Sequence, residues 1–447
     1  MIQQSAAGAL LDPGLGKTSC SLAMVKILKA MGYMKRALVI APLRPCYLVW
    51  PKEIEKWTNF QGLKYHILHG SGRNPHDIPE DTDLIFMNPE GLLWLLDPRF
   101  PHRFNALGCD VLIVDESTKF KDSTTKRFKL LRKEMYRFKR RYILTGVIVP
   151  NGLLDLFGQI FILDGGNSLG QYITHYRRDF FMADLHEPYK WDLQPGAFER
   201  ITERIAPLVI QLNAEDHIDM PELINETIEI ELPARVRKIY DEVEAEFFAE
   251  LDDSSYSLVA SNAGVAGQKC RQIANGAVYV HYEVNEDERR RETLWLHQEK
   301  VKAAVDLVEQ LQGSPVIILY EFRHELEQLQ KVFKGAPTLS GASPAQSMKI
   351  EEDFNAGRIP VLLGHPMSMG HGLNLQGSCH HVIWHGITWN LEHYDQSIRR
   401  VYRQGQENQT VFVYHIVARD TRDAKAIDVL TEKEKTQAEL NAALTHH

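Results

Sequence analysis

The sequence predicts an α/β protein made of two parallel-sheet lobes with a mainly helical insert between them. Three observations predict it. From Ala6 to about Leu163 short apolar runs alternate with amphipathic or polar stretches; from about Ser314 the same rhythm returns; in between the chain turns charged and helix-rich. Short apolar strands spaced by helical segments make a mostly parallel sheet with helices on both faces, because every parallel crossover must travel back over the sheet.

In the first lobe the expected strands are AAGALL (Ala6–Leu11), ALVIAP (Ala37–Pro42), KYHIL (Lys64–Leu68), DLIFMN (Asp83–Asn88), DVLIVDE (Asp110–Glu116) and RYILTG (Arg141–Gly146). The second lobe repeats the pattern with PVIILY (Pro315–Tyr320), PTLSG (Pro337–Gly341), IPVLLGHP (Ile359–Pro366), HHVIWHG (His380–Gly386) and TVFVYHIV (Thr410–Val417), with FRHELEQLQKVFKG as an intervening helix. Between the lobes, AFERITERIAPLVI and ARVRKIYDEVEAEFFAEL read as helices, and HIDMPELINETIEIELP, broken by Pro221, as one extended crossing. RRRET after NEDE reads as a solvated charge run. The expected division is residues 1–165, 166–293 and 294–447.

Composition bounds the function. The 447 residues are 44% apolar, enough for large cores, and carry a net charge of −8, so no global basic field advertises a polyanion partner. Any such site must be local. The five cysteines include no C-x-x-C pair, which predicts neither a disulfide framework nor a zinc site and suits a reducing cytoplasm. No apolar run approaches the ~20 residues that span a bilayer, and the start lacks the basic and long apolar segments of an export signal. The expectation is an unexported, cytoplasmic protein without a membrane partner.

The stretch LLDPGLGKTS (Leu10–Ser19) places a glycine loop between the first strand and a helix. In Gly14, Leu15, Gly16, Lys17 and Thr18 the glycines let backbone N–H groups wrap an anion. The helix start adds a favourable dipole, Lys17 reaches β/γ-phosphate oxygens, and the Thr18 hydroxyl is offered to Mg²⁺. DVLIVDEST ends an apolar strand in two carboxylates: Asp115 is the expected Mg²⁺ ligand and Glu116 the group that polarises the attacking water. In YDQSIRRVYRQGQ (Tyr394–Gln406), Gln396, Arg400 and Arg403 fall on one face of an expected helix, a candidate source of the arginine that stabilises a transferring phosphoryl.

With these blocks in place the chain resembles the superfamily-two helicase-type ATPases, and more narrowly the Swi/Snf-type DNA translocases. DPGLGKT resembles their first motif, VIAPLRPCYLVWPKEIEKW (Val39–Trp57) the next, and DEST stands where the family has DEAH or a variant. LTGVIVPNGLLDLFGQIFILD resembles the third, GHPMSMGHGLNLQG the fifth and TWNLEHYDQSIRRVYRQGQ the sixth; the spacing of LDGGNSLG resembles bacteriophage and bacterial members. The resemblance implies two RecA-like lobes, ATP with Mg²⁺, and double-stranded DNA gripped through its phosphates without base reading. It assigns DNA contacts to Arg44, Asn88, Ser368, Gly370 and Asn374. Trp50 and Trp57 are expected as core anchors, and the spacing of His365, His371, His380, His381 and His385 follows strands and loops rather than a metal site.

Two departures stand out. The family's third motif usually reads LTGTP, and here Val147 and Ile148 replace Thr and Pro, which weakens coupling unless Thr145 supplies the hydroxyl. Only MIQQS precedes the first strand, so the upstream glutamine that reads adenine in related motors is not expected and GTP should be used within roughly tenfold of ATP, the alternatives being that Gln3 or Gln4 reaches the base or that the native chain starts further upstream. Three readings follow: a double-stranded DNA translocase, a strand-separating helicase on the same engine, and a weakly hydrolysing nucleotide-gated clamp. Protein partners and oligomeric state are not legible.

Overall fold

A computed structural model describes residues 1–183, 191–246, 248–250, 257–259, 263–285, 288–369 and 372–445. The contacts divide the chain into two units, residues 1–218 with 433–447, and residues 219–432. No described helix is long and apolar enough to cross a membrane.

The first unit contains β1 (Ala6–Leu11), β2 (Ala37–Ile40), β3 (Tyr65–Ile67), β4 (Leu84–Met87), β5 (Val111–Asp115), β6 (Arg140–Thr145), the small hairpin β7 (Phe181–Ala183) and β8 (Trp191–Leu193), and β9 (Val209–Leu212). Its main sheet runs β3-β4-β2-β5-β6-β1-β9 with every pairing parallel. Successive side chains alternate between two cores. Leu10, Leu38, Ile40, Leu112, Val114 and Ile143 face one, whereas Ala9, Leu11, Val39, Ile113, Tyr142 and Leu144 face the other. Burial on both faces is why these strands read as continuous apolar runs.

The second unit contains β10 (Glu222–Ile230), β11 (Phe248–Glu250), β12 (Ser257–Val259), β13 (Ala277–Asn285), β14 (Glu288–Trp295), β15 (Val316–Leu319), β16 (Val361–Gly364), β17 (His381–Trp384) and β18 (Thr410–Ala418). Its sheet runs β10-β18-β17-β15-β16, again all parallel. PTLSG contributes only a bridge from Thr338 to Leu363. A buried polar cluster ties this unit together. Lys300 Nζ meets Asp423 and Asn275 at 2.7 Å each, Asn275 reaches Glu325 Oε1 at 2.6 Å, and Glu325 Oε2 faces His385 Nδ1 at 3.2 Å.

The expected division at 166 and 293 is corrected. The stretch 166–293 is shared, because β9 pairs with β1 in the first sheet while β10 pairs with β18 in the second. It is also less helical than expected. RRRET lies on β14, which forms an antiparallel hairpin with β13.

Candidate active site

In a parallel sheet all strands end on one edge, and that edge of the first unit gathers the loops after β1, β2, β4, β5 and β6. After β1 the chain turns through Gly14 (φ 97°) and Gly16 (φ 72°), conformations that glycine adopts without strain. The helix Lys17–Ala30 then starts from Gly16 with no side-chain cap and no acidic residue in its first turn. It does not need the cap. Leu22, Val25 and Leu28 are fully buried, each stabilising by ~1.5 to 3 kcal/mol, against ~1 kcal/mol for a cap. The first-turn N–H groups therefore stay available to an anion. Thr18 sits half-buried in that turn.

Lys17 Nζ donates to the Leu11 carbonyl at 2.6 Å. Asp115, at the end of β5, is buried, and its Oδ2 accepts from Trp50 Nε1 at 3.0 Å. Burial pushes its carboxyl above the usual range, against the Trp50 hydrogen bond and the Lys17 charge, which favour the carboxylate. A buried acid with two donors, the Trp50 indole N–H on Oδ2 and the Glu116 backbone N–H on Oδ1 at 3.1 Å, and one nearby ammonium, beside a glycine loop, suits a divalent cation held together with the Thr18 hydroxyl. Glu116 follows with φ 53° and ψ 61°, left-handed backbone that costs a non-glycine residue on the order of 1 to 3 kcal/mol. Gly146 completes the corner: a Cβ there would sit 3.3 Å from Pro13 Cδ and 3.7 Å from Lys17 Nζ. Gly14, Leu15, Gly16, Lys17, Thr18, Asp115 and Glu116 thus come together on one edge.

Arg44 and Asn88 lie on the same edge, after the neighbouring strands β2 and β4; Asn88 Nδ2 donates to Glu90 at 2.9 Å. In the second unit Ser368 and Asn374 follow β16, whereas Gly370 and His371 lie outside the described residues. Thr145 is not turned toward a surface: its hydroxyl donates to Val147 O at 2.8 Å in a buried position. Gln4 Nε2 donates to Pro207 O at 3.2 Å.

Two expectations are corrected. Gln396, Arg400 and Arg403 do not share a helix face, because the helix Leu391–Ile398 stops before both arginines. Arg400 turns inward, its Nε on Gln396 O at 2.9 Å and a terminal nitrogen on Leu373 O at 3.2 Å, while Arg403 bonds Asn374 Oδ1. Gln396 is buried against Glu392 at 3.4 Å. Trp57 is the other correction: Trp50 is fully buried, but Trp57 is 46% exposed, its indole N–H on Glu53 at 2.8 Å.

Some partners went unread. Trp50 holds Asp115, and Glu53 holds Ser19 at 2.7 Å. Gln159 is fully buried and takes the Ser117 hydroxyl at 2.6 Å. An amide inside the apolar run LFGQIFILD was its signal, since a buried amide needs partners.

The SNF2-related domain family matches residues 2–278, and the helicase conserved C-terminal domain matches residues 299–405. The chain belongs to the SNF2-related family. It is 33% identical to "Putative protein p41" of Acyrthosiphon pisum secondary endosymbiont phage 1, over 95% of this chain and 92% of that protein. It is 24% identical to "Uncharacterized ATP-dependent helicase YqhH" of Bacillus subtilis, over 97% of this chain and 76% of that protein. With human "DNA repair and recombination protein RAD54B" it shares 22% identity over 94% of this chain, which spans half of that protein. This SNF2-related chain is accordingly an ATP hydrolase of helicase superfamily two, with two RecA-like parallel-sheet lobes.

Proposed function

We propose that this SNF2-related ATPase is a motor that tracks along double-stranded DNA, gripping phosphates without reading sequence, in a bacterial or phage-infected cytoplasm. The observation that carries the reading is the convergence of Lys17, Asp115, Glu116 and Gly146 on one sheet edge. That corner combines an anion cradle, a buried carboxylate and a second carboxylate that can reach water.

In the proposed cycle Lys17 exchanges the Leu11 carbonyl for a phosphate oxygen, and the uncapped helix start holds the phosphate chain. Thr18 and Asp115 would hold Mg²⁺, whose chemistry is to neutralise charge on the phosphate oxygens. Glu116 orients the attacking water and accepts its proton. Arg400 and Arg403 are the arginines assigned to the transferring phosphoryl; reaching it requires them to release Gln396, Leu373 and Asn374. The Arg44, Asn88, Ser368, Gly370 and Asn374 positions supply phosphate contacts to DNA.

One observation favours a second reading. The β13–β14 hairpin is an element of the kind that can part strands, which the sequence did not reveal. ATP hydrolysis with and without blunt duplex tests the motor itself. Displacement of a third strand from a triplex, compared with unwinding of a fork, then separates translocation from strand separation.

A further inference from the structure

Where the family's usual third motif has proline, this chain has Ile148, and the exchange creates a backbone donor that proline lacks. Ile148 and Val149 are both fully buried. Buried N–H groups need acceptors. One atom serves both: Gln437 Oε1 accepts from Ile148 N at 3.1 Å and from Val149 N at 2.9 Å. Gln437 belongs to the helix Arg422–Thr445, in its portion from Lys433 onward that packs within the first unit. Leu440 and Leu444 of that portion are buried in the same core as Ile148, and Gln437 Nε2 donates to Asn441, which fixes which way the amide points.

The bonds continue toward the site. The Ile148 carbonyl accepts from Gln159 Nε2 at 2.7 Å, and Gln159 Oε1 accepts from Ser117 Oγ at 2.6 Å. Ser117 is the residue after Glu116. The helix carrying Gln159 cannot slide to compensate, because Gly158 packs so closely that a Cβ would lie 2.1 Å from Phe120 O.

We propose that Gln437 is a positioning residue for ATP hydrolysis. It fixes the Ile148–Val149 backbone, which fixes Gln159, which holds the Ser117 turn and with it the strained backbone of Glu116. This rests on the reading of Glu116 as the group that orients water. Loss of the acceptor leaves two buried donors unpaired and lets the loop shift, while the phosphate cradle around Lys17 is untouched. The effect should therefore fall on the chemical step and spare nucleotide binding.

The test compares the full chain with Gln437→Leu, which removes the acceptor at similar volume, and Gln437→Glu, which keeps an acceptor oxygen. Turnover is measured with saturating duplex DNA, alongside thermal melting and amide exchange at Ile148 and Val149. Wild-type turnover by itself tests the functional reading; the variant-to-wild-type ratio and the exchange rates test Gln437. Gln437→Leu should lower kcat about tenfold or more with KM for ATP within about twofold, and speed exchange at both amides; Gln437→Glu should restore kcat to within about threefold of wild type. A kcat for Gln437→Leu within about twofold of wild type, or no rescue by Gln437→Glu in a folded protein, would overturn the proposal. Should Gln437→Leu not fold, Gln437→Met removes the acceptor in its place, and combining it with Ile148→Pro, which removes one of the two donors, should cost less than the sum of the single losses; strict additivity would count against the proposal.

Discussion

Lys17 and Glu116 both belong to the nucleotide corner, and removing each should fail differently. Lys17→Ala removes a phosphate contact, so nucleotide affinity and turnover fall together. Glu116→Gln leaves the cradle intact and stalls the water, so turnover disappears while nucleotide stays bound. Binding of a fluorescent nucleotide beside steady-state hydrolysis separates the two; equal loss of affinity would refute the division. Arg400→Ala and Arg403→Ala should both lower kcat, by ~10³ for a lost phosphoryl-stabilising arginine. Their environments separate them on stability. Arg400 is buried and bonded to two carbonyls, so its loss should also lower the melting temperature; Arg403 pairs with exposed Asn374 and should not. A kcat within about threefold of wild type for either variant would remove that residue from the assignment. At this scale the glycine loop and the acidic pair were legible because backbone geometry and chemistry demand those residue types at that spacing. Gln437 was not. Its helix reads as polar, and nothing in the sequence indicates that its amide meets a loop nearly three hundred residues earlier in the chain.

Two elements carry predictions of their own. The helix Leu156–Asp164 packs backbone to backbone on the turn after Glu116, and a Cβ at Gly158 would meet Phe120 O at 2.1 Å and Lys121 O at 2.9 Å. Backbone cannot rotate aside as a side chain can, so Gly158→Ala should destabilise by ~1 to 3 kcal/mol or more and displace the Glu116 turn. A melting temperature and a turnover rate equal to wild type would contradict this packing. In the second unit burial pushes Glu325 upward, but the His385 hydrogen bond and charge, the His324 charge and the backbone N–H of Glu321 outweigh it and hold the carboxyl at about 2. A depressed carboxyl contributes stability above its unfolded value, near ~4.3, and loses it as pH falls toward 2. Glu325→Gln should therefore flatten the acid limb of unfolding in that window; an unchanged acid limb would show that another group governs it. The strands around these elements were legible as apolar runs because both sheet faces are buried. The end of the helix at Ile398 was not, since Arg399 to Gln404 contain no glycine or proline to stop it. Tertiary bonds stop it instead: the Leu375 N–H donates to the Arg400 carbonyl at 2.9 Å and Leu373 O accepts from the Arg400 guanidinium. The boundary between the units was hidden for a related reason, because β9 and β10 follow closely in sequence yet join different sheets.

For the whole molecule the net charge of −8 repels a polyanion at long range, so the proposed DNA binding has to rest on local phosphate contacts. Binding should be indifferent to sequence and should fall steeply with salt, since each phosphate neutralised releases counterions. Strong preference for one sequence, or affinity unchanged between low and moderate salt, would argue against phosphate gripping. In the proposed motor, hydrolysis at the Lys17–Asp115–Glu116 corner drives movement along duplex DNA. The decisive measurement is release of a third strand from a triplex on blunt duplex, with ATP, by wild type and by Glu116→Gln. ATP-dependent release by wild type, none by Glu116→Gln, and no separation of a forked duplex is the result predicted. Duplex-stimulated hydrolysis without triplex release, or unwinding of the fork in its place, would contradict it.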